Sequence, residues 1–346
     1  MAKQKNVWLP VFLLYCIGLT GTWAHEPSVT AIDYTHPAQY LAWPDTLGDR
    51  QAILAQSAQL KGRSDLETLR NVLNWMGKNL QCDSHKAYAW HNYDAVTREK
   101  AYGGCADQGL VCGVLLKAAG IPAIWVKTMD VDWIWAFKKN RSWTSWSGHV
   151  FLEVWVDQKW MLLNPGAKTV YPDYDTKARI LPGNRFAYDK GNDPKDMILS
   201  LQWEDWKKQT ETYFRALDES LLPVDTAGGM DLNPTAYVAG NSPYYQAMSQ
   251  MAAEAGLTVK ISFNSDYDKY LPQARGHVLM VETHQGVPII PQVTLEKYFP
   301  GCLKALPNSD GYVKIEDTKI IFTDFSKPLQ VLEKRDPTGL QSRLSP

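Results

Sequence analysis

The chain has 346 residues, with 36 Lys and Arg set against 37 Asp and Glu and a formal net charge of −1. That balance gives no electrostatic footprint for nucleic acid or for an anionic membrane surface. The length suits about two domains with cores large enough to need no disulfide staples, and no internal repeat or low-complexity tract interrupts it.

The chain begins with Lys3 and Lys5, then an apolar stretch over residues 7–19, then the small-residue boundary Thr22-Trp23-Ala24. Residues 1–24 therefore read as a secretory signal peptide. The apolar stretch is short for a membrane span and is broken by Pro10 and Gly18, so export to the periplasm or beyond, after cleavage near Ala24, is expected, with no stable membrane span. A lipoprotein box at Cys16 is disfavoured by the bulky Tyr15 before it.

Leu66, Leu69, Leu73, Met76 and Leu80 recur at helical spacing and predict an amphipathic helix. Trp90, His91 and Tyr93 follow as candidates to line a cleft. Two glycines, Gly103 and Gly104, then deliver Cys105 to a run in which Leu110, Val111, Val114, Leu115 and Ala118 again keep helical spacing. Gly120 and Pro122 stop it, so residues 105–119 read as one buried helix with Cys105 in its first turn. Unpaired N–H groups and the macrodipole favour a thiolate there, and a nearby imidazolium would lower its pKa further. Taken alone, such a cysteine equally suits a small buried hydrophobe. Asp107 and Gln108 occupy first-turn positions where they favour the helix itself. Cys112 falls in the apolar interior, as an inert thiol, about 10 Å along the helix from Cys105 and out of disulfide range. A Cys82–Cys302 bridge is compatible with the even count of cysteines after the leader, and nothing else supports it. With no Cys-x-x-Cys or His-x-x-x-His cluster, neither a metal nor a cofactor is expected.

Trp133, Trp135, Trp143 and Trp146 crowd the next segment, either to form an apolar cleft or to pack a sheet. Residues 148–156 alternate strictly, placing Val150, Leu152, Val154 and Val156 on one face and His149, Phe151, Glu153 and Trp155 on the other. A polar turn at Asp157-Gln158-Lys159 and a strand from Trp160 to Asn164 complete a hairpin that Pro165 and Gly166 end. A loop of two or four residues puts His149 and Asn164 on one face, where Asn164 can accept the imidazole N–H; a three-residue loop separates them. Glu153 is expected to be an exposed strand glutamate.

Gly104-Cys105, residues 118–123, Gly148-His149 with Glu153-Val154-Trp155, and Trp160 through Asn164-Pro165 together resemble the transglutaminase-like superfamily over residues 50–175. The resemblance implies an α+β fold with a papain-like core, in which a nucleophile helix packs on an antiparallel sheet. It implies Cys105, His149 and Asn164 as the catalytic set, with Asn164 in place of the usual Asp, as in Cys-His-Asn enzymes.

Residues 25–200 are thus expected to form the catalytic domain and 201–229 a linker helix and loop. Residues 230–346 read as a smaller α/β domain, with strands near 235–239, 257–262 and 277–282 and a helix over 243–255. Asn241 to Gln246, with Val287-Pro288 downstream, faintly resembles a glutaredoxin-like start, which would make this unit thioredoxin-like without redox cysteines. His277 and His284 are expected to be structural. The resulting expectation is an exported cysteine peptidase or amidase acting on a peptide or protein, or on a peptidoglycan stem of the cell wall. The alternatives are a transamidase with an amine acceptor and a catalytically silent binding protein on the same scaffold.

Overall fold

The computed structural model describes residues 32–87, 91–140, 147–195, 197, 203–223, 235–240, 242, 244–264, 266–267, 271–274, 277–284, 287–288, 290–301, 311–316 and 319–324. The leader, Trp90, Trp143, Trp146 and Cys302 lie outside the described residues.

Two helices lead. α1 (Arg50–Leu60) is capped by Asp49, which accepts the N–H groups of Gln51 and Ala52, and α2 (Asp65–Asn79) by Ser64, which accepts that of Glu67. The stripe Leu66, Leu69, Leu73 and Met76 of α2 is buried, as its spacing predicts. β1 (Gln81–Cys82) pairs in parallel with β2 (Ala101–Tyr102) around α3 (Tyr93–Glu99). Next come α4 (Cys105–Ala118), β3 (Ala123–Asp130), α5 (Val131–Asn140), β4 (Gly148–Val156) and β5 (Lys159–Asn164). The first half closes with β6 (Thr169–Tyr171), β7 (Ile180–Leu181), β8 (Arg185–Gly191) and α6 (Trp203–Ala216). Beyond it lie β9 (Thr235–Ala239), α7 (Tyr245–Glu254), β10 (Thr258–Ser262), β11 (Val278–His284) and β12 (Val287–Pro288). A helix over Gln292–Tyr298, β13 (Gly311–Glu316) and β14 (Lys319–Asp324) follow.

The α+β architecture is as expected. Among the described residues all strands except β1 and β2 join one sheet, in the order β14-β13-β11-β9-β10-β6-β5-β4-β3-β8-β7, with β12 on β11. β10 meets β6 antiparallel through Ile261 opposite Val170 and Ser262 opposite Thr169, so the ladder runs unbroken between the two halves of the chain.

α4 lies against this sheet at unusually short range because of two glycines. A Cβ on Gly113 would stand 2.6 Å from the Trp125 ring, and one on Gly109 2.8 Å from Val150. The Trp125 indole is fully buried, and its N–H is satisfied by the Gly109 carbonyl at 3.0 Å.

Two expectations, for Glu153 and Tyr93, need correction. Glu153 is not exposed: it is wholly buried and paired with Lys190 at 2.6 Å, and it accepts the hydroxyls of Tyr34 and Tyr174. Such a partner set is what a buried carboxylate requires. Of the two alternatives for the tryptophans, Trp133 follows packing, stacked on Phe137 at 5.1 Å with Phe214 edge-on, and Trp135 donates to the Pro223 carbonyl. On α6, Trp206 and Phe214 are buried in that same cluster. Tyr93 is likewise a core residue. No described helix is long and apolar enough to cross a membrane.

Candidate active site

Gly103 leads into α4 where a side chain would not fit, since a Cβ there would lie 2.3 Å from the Lys86 carbonyl oxygen. Gly104, the extended N-cap residue, has open space where a Cβ would stand, so the approach to the start of α4 is clear. Asp107 is buried in the first turn of α4. Its Oδ2 accepts the Gly103 N–H at 2.6 Å and the His91 Nδ1–H at 2.9 Å, tying the entry loop and His91 to the helix.

The β4–β5 connection is the two-residue turn Asp157-Gln158, both at positive φ, with Val156 paired to Lys159. This matches the type I′ geometry that continues strand twist. It selects the register in which His149 and Asn164 share a face. Nε2 of His149 lies 3.1 Å from Oδ1 of Asn164. The same oxygen accepts the Ala167 N–H at 3.1 Å, which fixes the amide so that Nε2–H donates and Nδ1 keeps its lone pair. Phe151 sits edge-on to the ring at 4.7 Å.

A two-residue hairpin directs the N–H groups of Val156, Val154, Leu152 and Val150 toward β5. The ladder stops at Leu152 opposite Leu163, and the N–H of Val150, one step beyond, meets the Cys105 sulfur. The thiol thus abuts the residue after His149, and among the described residues no hydrogen bond joins it to the imidazole. Burial raises the thiol above its ordinary pKa, outweighing the N–H groups of Val150, Cys105 and Ala106 and the Arg185 cation, which all lower it. The activated thiolate expected from the helix terminus is therefore not the resting state. Burial also holds His149 down, at about 4, with Asn164 opposing the shift and Arg185 adding to it. At neutral pH both side chains are therefore uncharged. Cys112, by contrast, is fully enclosed and far from titrating, as an inert core thiol should be.

A cavity of about 280 Å³ opens beside His149 and Asn164, with Arg185, Tyr237, Lys260 and Ser262 also in its lining. Arg185 and Lys260 are not foreseen from the sequence. The available signal for Lys260 is a lysine inside the apolar strand run Val259-Lys260-Ile261; nothing in the local sequence of Arg185 distinguishes it.

Residues 53–165 match the transglutaminase-like superfamily core. One similar solved structure is a "Putative Cysteine Protease" from Cytophaga hutchinsonii, 16% identical with a TM-score of 0.35, over 51% of this chain and 53% of that one. Another, described as a TGase, is 13% identical with a TM-score of 0.23, over 39% of this chain and 34% of its own. The match thus spans about half the length of the first and about a third of the second. No curated protein matches the chain.

Proposed function

Starting from a transglutaminase-like superfamily domain at residues 53–165, we propose that this chain is a cysteine acyl-transfer enzyme that hydrolyses an amide bond in a peptide, using Cys105, His149 and Asn164. The observation that carries this reading is the 3.1 Å bond from His149 Nε2 to Asn164, which presents Nδ1 as the base on the strand that touches the Cys105 sulfur. Substrate binding displaces water and brings Nδ1 onto the thiol. The proton moves from sulfur to Nδ1 as sulfur bonds to the substrate carbonyl carbon. Backbone N–H groups at the start of α4, including that of Cys105, face the developing oxyanion, and the Arg185 cation favours both negative charges. The imidazolium then gives its proton to the departing amine, leaving a thioester. Water, deprotonated by Nδ1, attacks that thioester, and the acid and free thiol are released.

Export after cleavage near Ala24 belongs to the same reading. The test is turnover of a library of peptide amides by the chain lacking residues 1–24, with and without an added primary amine, analysed by mass spectrometry. Release of a free acid, with loss of at least about 10³-fold in Cys105→Ala and His149→Ala, is the expected result. Products carrying the added amine would make the enzyme a transamidase. Equal rates in wild type and Cys105→Ala would sink the proposal and leave a binding protein on this scaffold.

A further inference from the structure

Helices α1, α2 and α3 each begin on a side chain that caps them from the N-cap position, Asp49, Ser64 and Asn92. The helix that carries Cys105 departs from this pattern. Its N-cap residue is Gly104, which has no side chain to offer, and the capping group lies inside the first turn as Asp107. The N–H groups of Cys105 and Ala106 are thereby left to the sulfur, which accepts both. A carbonyl group that bonds to this sulfur brings its oxygen to the same end of the helix. The arrangement carries a liability, because Gly103 and Gly104 in series give the entry loop wide backbone freedom. Oδ2 of Asp107 removes that freedom by accepting the Gly103 N–H at 2.6 Å, and His91 steadies the carboxylate by donating Nδ1–H to the same oxygen at 2.9 Å. Both side chains are withdrawn from solvent, His91 at 13% exposure and Asp107 at 6%. An acid that served the helix alone could do so from the surface, without the desolvation that raises the pKa of Asp107.

Resting on the acyl-transfer reading, we infer that His91 and Asp107 are positioning residues, which hold the backbone from Gly103 to Cys105 so that N–H groups at the start of α4 meet the oxyanion formed on the carbonyl that Cys105 attacks. His91 acts through Asp107, and Asp107 through the Gly103 N–H.

The test compares two reactions of Cys105 in the full chain. p-Nitrophenyl acetate acetylates the thiol through an oxyanion, with p-nitrophenolate leaving. Iodoacetamide alkylates it at a saturated carbon, with iodide leaving and no oxyanion. Both rates are followed at one pH by site mapping in a mass spectrometer, with melting curves to verify folding. In His91→Phe and Asp107→Ala the acetylation rate is expected to fall at least about tenfold, while the alkylation rate stays within about twofold of wild type. His91→Asn keeps an N–H near the Nδ1 position, and Asp107→Asn keeps an oxygen for Gly103 and turns its amide N–H to the imidazole. Each should retain most of the acetylation rate. Acetylation unchanged in the folded His91→Phe and Asp107→Ala overturns the inference. So does a joint fall of acetylation and alkylation, which would mean that the pair sets the thiol or the fold and not the oxyanion donors. If neither variant folds, amide exchange of Gly103 in the wild-type chain decides. Protection below about tenfold relative to a free loop amide overturns the inference, and greater protection with both asparagine variants active sustains it. A wild-type chain that is neither acetylated nor alkylated at Cys105 refutes the acyl-transfer reading and this inference with it, whereas acetylation of wild type matched in every variant refutes the positioning pair alone.

Discussion

At the residue scale, burial leaves both the Cys105 thiol and the His149 imidazole uncharged at neutral pH, and the pH behaviour of the proposed pair follows. Because His149 titrates at about 4, the acid limb of kcat/KM should fall near pH 4 rather than near the ordinary histidine value. A limb near pH 6.5 would show that the imidazole is more solvated than its packing against Phe151 implies. The same depressed pKa bears on stability. The unfolded chain takes up a proton at His149 that the folded one resists, so this contribution is complete above the unfolded pKa and is lost as pH falls from about 6.5 to about 4. Replacing Arg185 by Met should raise both the His149 pKa, seen in the imidazole NMR titration, and that of the Cys105 thiol, seen in the pH dependence of alkylation. Asn164→Ala removes the acceptor that fixes the ring, and a loss of about 10²-fold in kcat is expected, with partial recovery in Asn164→Asp. An unchanged kcat in Asn164→Ala would mean that Phe151 alone orients the ring.

At the scale of elements, the spacing of α4 from the sheet sets where Cys105 stands. Gly113→Ala forces a methyl group into the Trp125 ring and should cost about 1–3 kcal/mol in denaturant unfolding. Gly104→Ala meets only open space and should leave stability within about 0.5 kcal/mol. Equal effects of the two substitutions would contradict the packing. The elements that carry the site were largely legible in the sequence. Helical spacing located α2 and α4 and strict alternation located β4, while the odd separation of His149 from Asn164 permitted their bond only for a loop of two or four residues, and the two-residue turn that decides it was not legible. Glu153 was misjudged because alternation assigns a face without saying what covers it, and Lys190 with Tyr34 and Tyr174 cover that face. The segment over β3 and α5 was read only for its tryptophans. The partners of Trp133 and Trp135 lie far along the chain, in Phe214 and at Pro223, which no local pattern could indicate.

For the whole molecule, the β6–β10 rung makes the two halves one sheet, and the core beneath it is shared. Val170, Val238 and Ile261 belong to the same buried cluster as Leu110 and Leu115 of α4. A single unfolding transition, coincident by tryptophan fluorescence and far-UV circular dichroism, is therefore expected, and two resolved transitions would show that the rung does not couple the halves. One further consequence concerns oxidants. Peroxides attack thiolates, so a cysteine that rests protonated, and in the proposed mechanism ionises only when a carbonyl substrate arrives, is shielded from sulfenic acid formation between turnovers. Cys82, by contrast, is exposed to solvent on β1. Under mild peroxide it should be modified before Cys105, and the protein should age first at a cysteine outside the proposed catalytic set.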